Sequence, residues 1–144
     1  MNILYVNKQL YKFKIIESPL CLYCKTEKET IEHLFVNCSI TSTLYRDITI
    51  WLKYYGINLP NLHLITFVVG SNDKENAVLI DFLLLLYRSY IYNNRGKFNQ
   101  LIIEGFKRYV KLYERIEYNI AKKNNRELVH LTKFNNLQLA LNNV

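Results

Sequence analysis

The segment CLYCKTEKETIEHLFVNC, residues 21–38, gathers every cysteine of a 144-residue chain and one of its three histidines. The order is Cys21-x2-Cys24, then His33 and Cys38. A CxxC pair lets two thiolates meet one tetrahedral ion from a single tight turn, and four soft or borderline donors in one short segment suit zinc. Two other readings compete. Free cysteines are often small hydrophobes of a core and His33 a surface residue, but that would place all three cysteines by chance in a ligand pattern with a histidine. A redox CxxC opens a helix after a strand, and Pro19 before the pair with Lys25-Thr26 after it gives no such frame. The spacing favours Cys21, Cys24, His33 and Cys38 as ligands of one metal.

That reading makes a geometric demand. Successive residues of an α-helix turn by about 100°, so on one continuous helix His33 and Cys38 point about 140° apart. The helix must end near Val36 or Asn37, and asparagine tolerates the left-handed geometry of such an end. Cys38 then reaches back from a loop.

Working outward, residues 1–18 show no clear period, and Pro19 stops any helix before the segment. Thr26 and Glu29 have capping-box spacing, while Thr30 offers a second cap, for a helix that carries Ile31, Leu34 and Phe35 inward. Leu44, Ile48, Trp51, Leu52 and Tyr55 keep one apolar face of a helix over about 41–55, which Gly56 ends. LITFVVG at 64–70 is a short strand or an extended connection. Ser71, Asn72 or Asp73 then caps a helix over about 75–92. A longer helix covers about 98–123, with Ile102, Phe106, Tyr109, Tyr113, Ile116 and Ile120 spaced 4, 3, 4, 3, 4 as a seam of coiled-coil type. From Asn124 the chain is asparagine-rich and reads as a weakly ordered tail. The expected fold is mainly α: a small zinc-stabilised N-terminal turn packed on a bundle of about four helices, with at most one short strand. Residues 1–124 form one zinc-binding helical domain in this reading, and 125–144 the tail.

Half of the residues are hydrophobic, with four glycines and two prolines, which favours long elements over turn-rich β architectures. The most apolar run, AVLIDFLLLLY at 77–87, is far shorter than the roughly 20 residues of a membrane span and holds Asp81. It reads as a core helix, and no membrane partner is expected. An odd cysteine count argues for a reducing compartment, and MNILYVNKQLYKFK lacks the apolar stretch of a secretory signal. An intracellular place, nucleus or cytoplasm, is the expectation.

The net charge of +7 divides as +2 over residues 1–60, −1 over 61–93 and +6 over 94–144. The positive field thus belongs to the C-terminal third. On the helix over 98–123, Arg108, Lys111, Arg115 and Lys122 fall opposite the apolar seam, diluted by Glu104, and are candidate phosphate contacts. Tyr23, spanned by the CxxC turn, is a candidate for stacking on a base. His63 and His130 have no partner at ligand spacing and read as surface or core-edge residues, Asp81 as an outer-face residue and Trp51 as core. No Ser/His/Asp or Cys/His/Asn set can be assembled without the metal ligands, and the lone glycines make no phosphate-cradling loop. An enzyme is not expected.

Cys21-Leu-Tyr-Cys24, the block Glu29-Thr30-Ile31-Glu32-His33-Leu34-Phe35 and Cys38, followed by a tryptophan-bearing helix, resemble the zinc-binding segment found after the polymerase in non-long-terminal-repeat retrotransposon reverse transcriptases. NKQLYKFKIIESPL resembles the approach to that motif, and FVVGSN with FLLLLYRSYIYNNR the helical region that closes such polyproteins. The resemblance implies a non-catalytic, nucleic-acid-associated accessory module with zinc at Cys21, Cys24, His33 and Cys38. Its implied partners are RNA or DNA, bound without sequence preference, with a reverse transcriptase core or another copy of the chain as further partners. The sequence has no Asp-Asp pair, and so nothing resembling the metal-binding carboxylates of nucleotidyl transfer. Competing expectations are a zinc-stabilised protein-interaction or scaffold module, and a functionless remnant of a decayed element.

Overall fold

Val6 and Asn7 are buried at the start of a short six-residue helix, α1 (Asn7–Lys12), in the lead-in where the sequence shows no period. The computed structural model describes residues 4–62, 76–97 and 101–144. The sequence readings of LITFVVG, of His63 and of Ser71, Asn72 and Asp73 as caps fall outside those residues. After the CxxC segment comes a π-turn (His33–Asn37), then α2 (Ser39–Tyr54), α3 (Ala77–Asn93), α4 (Ile103–Lys123) and α5 (Glu127–Leu141). The fold is mainly α, and the one strand-like feature among the described residues is an isolated antiparallel bridge between Leu20 and Lys28.

α2 forms where its periodicity puts it. Leu44, Ile48 and Leu52 are buried, while Trp51 and Tyr55 lie partly buried against the core. Its end is a Schellman closure: Gly56 takes φ +80°, its N–H donates to the Lys53 carbonyl, and the N–H of buried Ile57 donates to Leu52. α3 is buried on most sides, through Leu79, Ile80, Leu83, Leu84, Leu86, Tyr87, Tyr90 and Ile91, and Asp81 stays on its exposed side. It packs against α4, α5 and the π-turn, so it ties the metal end of the molecule to the C-terminal pair. No helix among the described residues is long and apolar enough to cross a membrane.

Two expectations fail at the C-terminus. Of the seam on α4 only Phe106 is buried and Tyr109 is partly buried, whereas Ile102, Tyr113, Ile116 and Ile120 stand exposed. Residues 127–141 form a helix instead of a weakly ordered tail. One cause explains both. α5 docks on a side of α4 next to the seam, where Val110 and Glu114 are buried, and it buries His130, Phe134, Leu137 and Leu141 at helical spacing. The contact is part polar: Glu114 Oε1 lies 2.9 Å from His130 Nε2 and accepts a 3.0 Å hydrogen bond from Gln138 Nε2. His130 also stacks on Phe134, with ring centroids 4.4 Å apart. His130 is therefore a core residue with a partner sixteen positions away, which a search at ligand spacing misses.

Leu137 is fully buried, so Leu137→Ala is expected to cost about 2–5 kcal/mol in urea denaturation. A loss below about 0.5 kcal/mol, the usual range of surface substitutions, would mean that α5 does not share the core.

Candidate metal centre

The four ligands come from three local devices: the CxxC loop, the helical turn of His33 and the start of α2 at Cys38. Cys21 and Cys24 sit on a tight loop whose base is held by the Leu20–Lys28 bridge, by Cys21 N–H donating to the Glu27 carbonyl at 2.8 Å and by Glu29 N–H donating to Pro19 at 2.9 Å. Inside it, Lys25 N–H closes back on the Cys21 carbonyl at 2.9 Å, and Lys25 adopts φ +58°. His33 follows a helical start capped by Thr30, whose hydroxyl accepts the His33 N–H at 2.9 Å. Of the two caps the sequence offers, Thr30 is the one used.

The demand on His33 and Cys38 is met by widening the helix. Residues 33–37 form a π-turn in which Cys38 N–H donates to the His33 carbonyl at 2.7 Å, an i to i+5 closure that brings the two residues closer to one face than α geometry allows. The helix ends at Asn37, as expected, and Cys38 is extended, with φ −62° and ψ 128°. Cys38 also opens α2, since its carbonyl accepts the Ser42 N–H. The buried Thr41 hydroxyl locks the junction by donating to the Leu34 carbonyl at 2.8 Å.

The four ligand atoms lie within 4.8 Å of one another. Cys24 Sγ is 3.3 Å from His33 Nε2, and Cys21 Sγ is 3.9 Å from Cys38 Sγ. Two thiolates at about 2.3 Å from one tetrahedral ion stand about 3.8 Å apart, so the second distance fits a shared ion and is far from the roughly 2.05 Å of a disulfide. Cys21 and Cys38 are buried, while Cys24 and His33 are half-buried on the outer side. The hydrogen bond from Cys21 pushes the Cys38 thiol down to about 4, and the same bond with burial pushes Cys21 up. Desolvation works against ionisation of Cys24, but hydrogen bonds from Thr26, Glu27 and His33 outweigh it and lower the thiol. Three sulfurs and an imidazole in a closed four-donor set select zinc in a structural role; when bound, the ion cross-links the CxxC loop to the start of α2.

Behind the ligands lies a group the sequence reading assigns only to capping. Glu29 is fully buried. Its Oε1 accepts the Asn7 N–H at 2.9 Å and pairs with Arg95, and its Oε2 accepts the N–H of Leu22, next to Cys21, at 3.2 Å. Arg95, just past α3, also donates to the Tyr5 carbonyl and lies over the Tyr92 ring at 4.3 Å. One carboxylate therefore joins α1, the CxxC loop and the end of α3. The only local signal is Glu29 in the ETIEHLF block; Arg95 lies in NNRGK, 66 residues on.

The other candidates separate. Tyr23 is turned inward, against the expectation of an exposed ring: it packs on the core, its hydroxyl donates to the Ile91 carbonyl, and burial pushes its phenol up. The apolar side of α3 leaves the CxxC loop no free face for it. Arg108, Arg115 and Lys122 are exposed on α4, while Lys111 is half-buried and donates to the Val144 carbonyl at 2.6 Å. No curated protein and no solved structure matches the chain. Residues 1–45, which contain all four ligands, match the family described as zinc-binding in reverse transcriptase.

Proposed function

We propose that the chain is a non-catalytic accessory module of a retrotransposon-type reverse transcriptase polyprotein, in which zinc holds a rigid N-terminal knuckle on a helical body that binds RNA or DNA without reading sequence. The observation that carries this reading is the Cys21, Cys24, His33 and Cys38 cluster inside the segment that matches the reverse transcriptase zinc-binding family. The charge of +7 supports a polyanionic partner. Thiolate ligands are compatible with a reducing intracellular place, nucleus or cytoplasm.

The test is a salt titration. The zinc-loaded chain is expected to bind labelled RNA and DNA oligonucleotides of unrelated sequence with similar affinity. For three to five phosphate contacts, log Kobs should fall against log salt with a slope of about −2 to −4. Absent binding, or binding insensitive to salt, would contradict the reading.

A second reading, a docking module for the polymerase or for another copy of the chain, is favoured by one observation. Leu112, Tyr113, Ile116 and Ile120 leave an exposed apolar stripe along α4. It predicts association that persists at high salt and is lost in Ile116→Lys.

A further inference from the structure

We propose that the nucleic-acid contact lies at the metal end of the molecule, on α1 and the loops beside it, and that its ligand is single-stranded. This rests on the reading above and moves the contact away from the α4 stripe. Lys8 and Lys12 stand one turn apart on α1 with Tyr11 between them, and Phe13 and Lys14 follow directly. Lys25 projects from the CxxC loop, and with Asn7, Ile16, Glu17, Ser18, Leu20 and Leu22 it lines a cleft of about 600 Å³. Asn7 fastens α1 to that loop, its side chain donating to the Leu20 carbonyl at 2.8 Å. Residues 4–28 carry five lysines against Glu17 and Glu27. None of the five has an ion-pair partner among the described residues. Lys14 and Lys25 hold φ near +59° and +58°, where asparagine or glycine would sit at less cost.

The aromatics decide the form of the ligand. Tyr11 is 49% and Phe13 58% exposed, and both rings stand among the lysines. Rings interleaved with cations are a stacking platform for unpaired bases, which a duplex keeps inside its own stack. On the α4 stripe the one ring beside the cations, Tyr118, is half-buried, packs edge-on against His130 and donates its hydroxyl to Glu127; Lys111 is already engaged by Val144, and Glu104 lies among them.

The test uses the full zinc-loaded chain with labelled 20-nucleotide single strands of RNA and DNA and a blunt duplex of the same length. The wild type is expected to bind the single strands at least about tenfold more tightly than the duplex. Tyr11→Ala with Phe13→Ala should lower single-strand affinity at least about tenfold and leave duplex affinity unchanged. Reversing Lys8, Lys12 and Lys14 to glutamate should weaken binding to every strand and flatten the salt slope by about 2. Zinc stoichiometry and circular dichroism check the fold, and glutamine at the three lysines serves where reversal disturbs it. If the wild type binds but only Arg108→Glu, Lys111→Glu and Arg115→Glu abolish binding, this face is wrong and the functional reading stands. Equal affinity for duplex and single strand, untouched by the aromatic pair, overturns the single-strand assignment. A wild type that binds no oligonucleotide overturns both and leaves the patch to a protein partner.

Discussion

Arg95→Ala is expected to destabilise the zinc-loaded protein by about 3–5 kcal/mol, because it strands a buried carboxylate without its countercharge. Glu29 has no solvent-exposed side-chain surface, and Arg95 is 12% exposed, so water does not reach the pair to screen it. Two backbone N–H groups remain on Glu29 in the variant, from Asn7 and Leu22, and they soften the loss without neutralising the charge. Arg95→Lys should be intermediate: an ammonium keeps the charge, but it lacks the planar fork that reaches both Glu29 and the Tyr5 carbonyl, and the stack on Tyr92 goes with it. Glu29→Gln should also destabilise, since its amide nitrogen must face an N–H donor at one of the two oxygens. The double variant Arg95→Met with Glu29→Gln should cost less than the sum of its parts, as residues in direct contact do. The loss should also weaken zinc binding, because the same carboxylate sets the backbone beside Cys21; such outer partners typically change metal affinity 10–100-fold, roughly. An Arg95→Ala variant within about 0.5 kcal/mol of wild type, with unchanged zinc affinity, would mean that the pair does not hold the loop on the core.

What was legible in the sequence was whatever is local. The four ligands lie in eighteen residues, and the helical twist alone demanded a break between His33 and Cys38. How the break is made was not legible, because a π-turn depends on the fit of Leu34 and Phe35 into the core. α2 was readable because Leu44, Ile48 and Leu52 keep a clean period. α5 was not, since apolar Leu128, Val129 and Leu139 point outward while His130 and Gln138 face α4, so polarity and burial no longer run together. For the same reason α4 shows two faces that pattern alone cannot rank. The Glu29–Arg95 pair joins residues 66 positions apart, and no window along the chain contains both.

Zinc removal is expected to have the largest effect of all, and a regional one. Structural zinc contributes an apparent 10–16 kcal/mol, roughly, in small zinc-finger peptides near neutral pH, and residues 19–30 have little else to hold them: one isolated bridge, a handful of loop hydrogen bonds, Tyr23 against the core and the Glu29 carboxylate, whereas Leu34 and Phe35 of the π-turn are buried in the core. Helices α2 to α5 have their own apolar contacts, centred on Leu52, Leu83, Ile91, Val110 and Leu137. Chelation should therefore strip amide protection from residues 19–30 in hydrogen exchange and leave most of α2 to α5 protected, with the π-turn in between partly held by Leu34 and Phe35. The first turn of α2 is the exception, because Cys38 is both a ligand and the residue that opens that helix. α1 should loosen with the loop, since Asn7 is bound to Leu20 and to Glu29. Cys38→Ser separates the two roles: serine keeps the opening of α2, yet its hydroxyl does not replace a thiolate on zinc. It should lose the metal while α2 persists, with one zinc per chain measured in the wild type. Loss of protection across all helices on chelation would place the metal inside the cooperative core, and no change anywhere would remove zinc from the account of the fold.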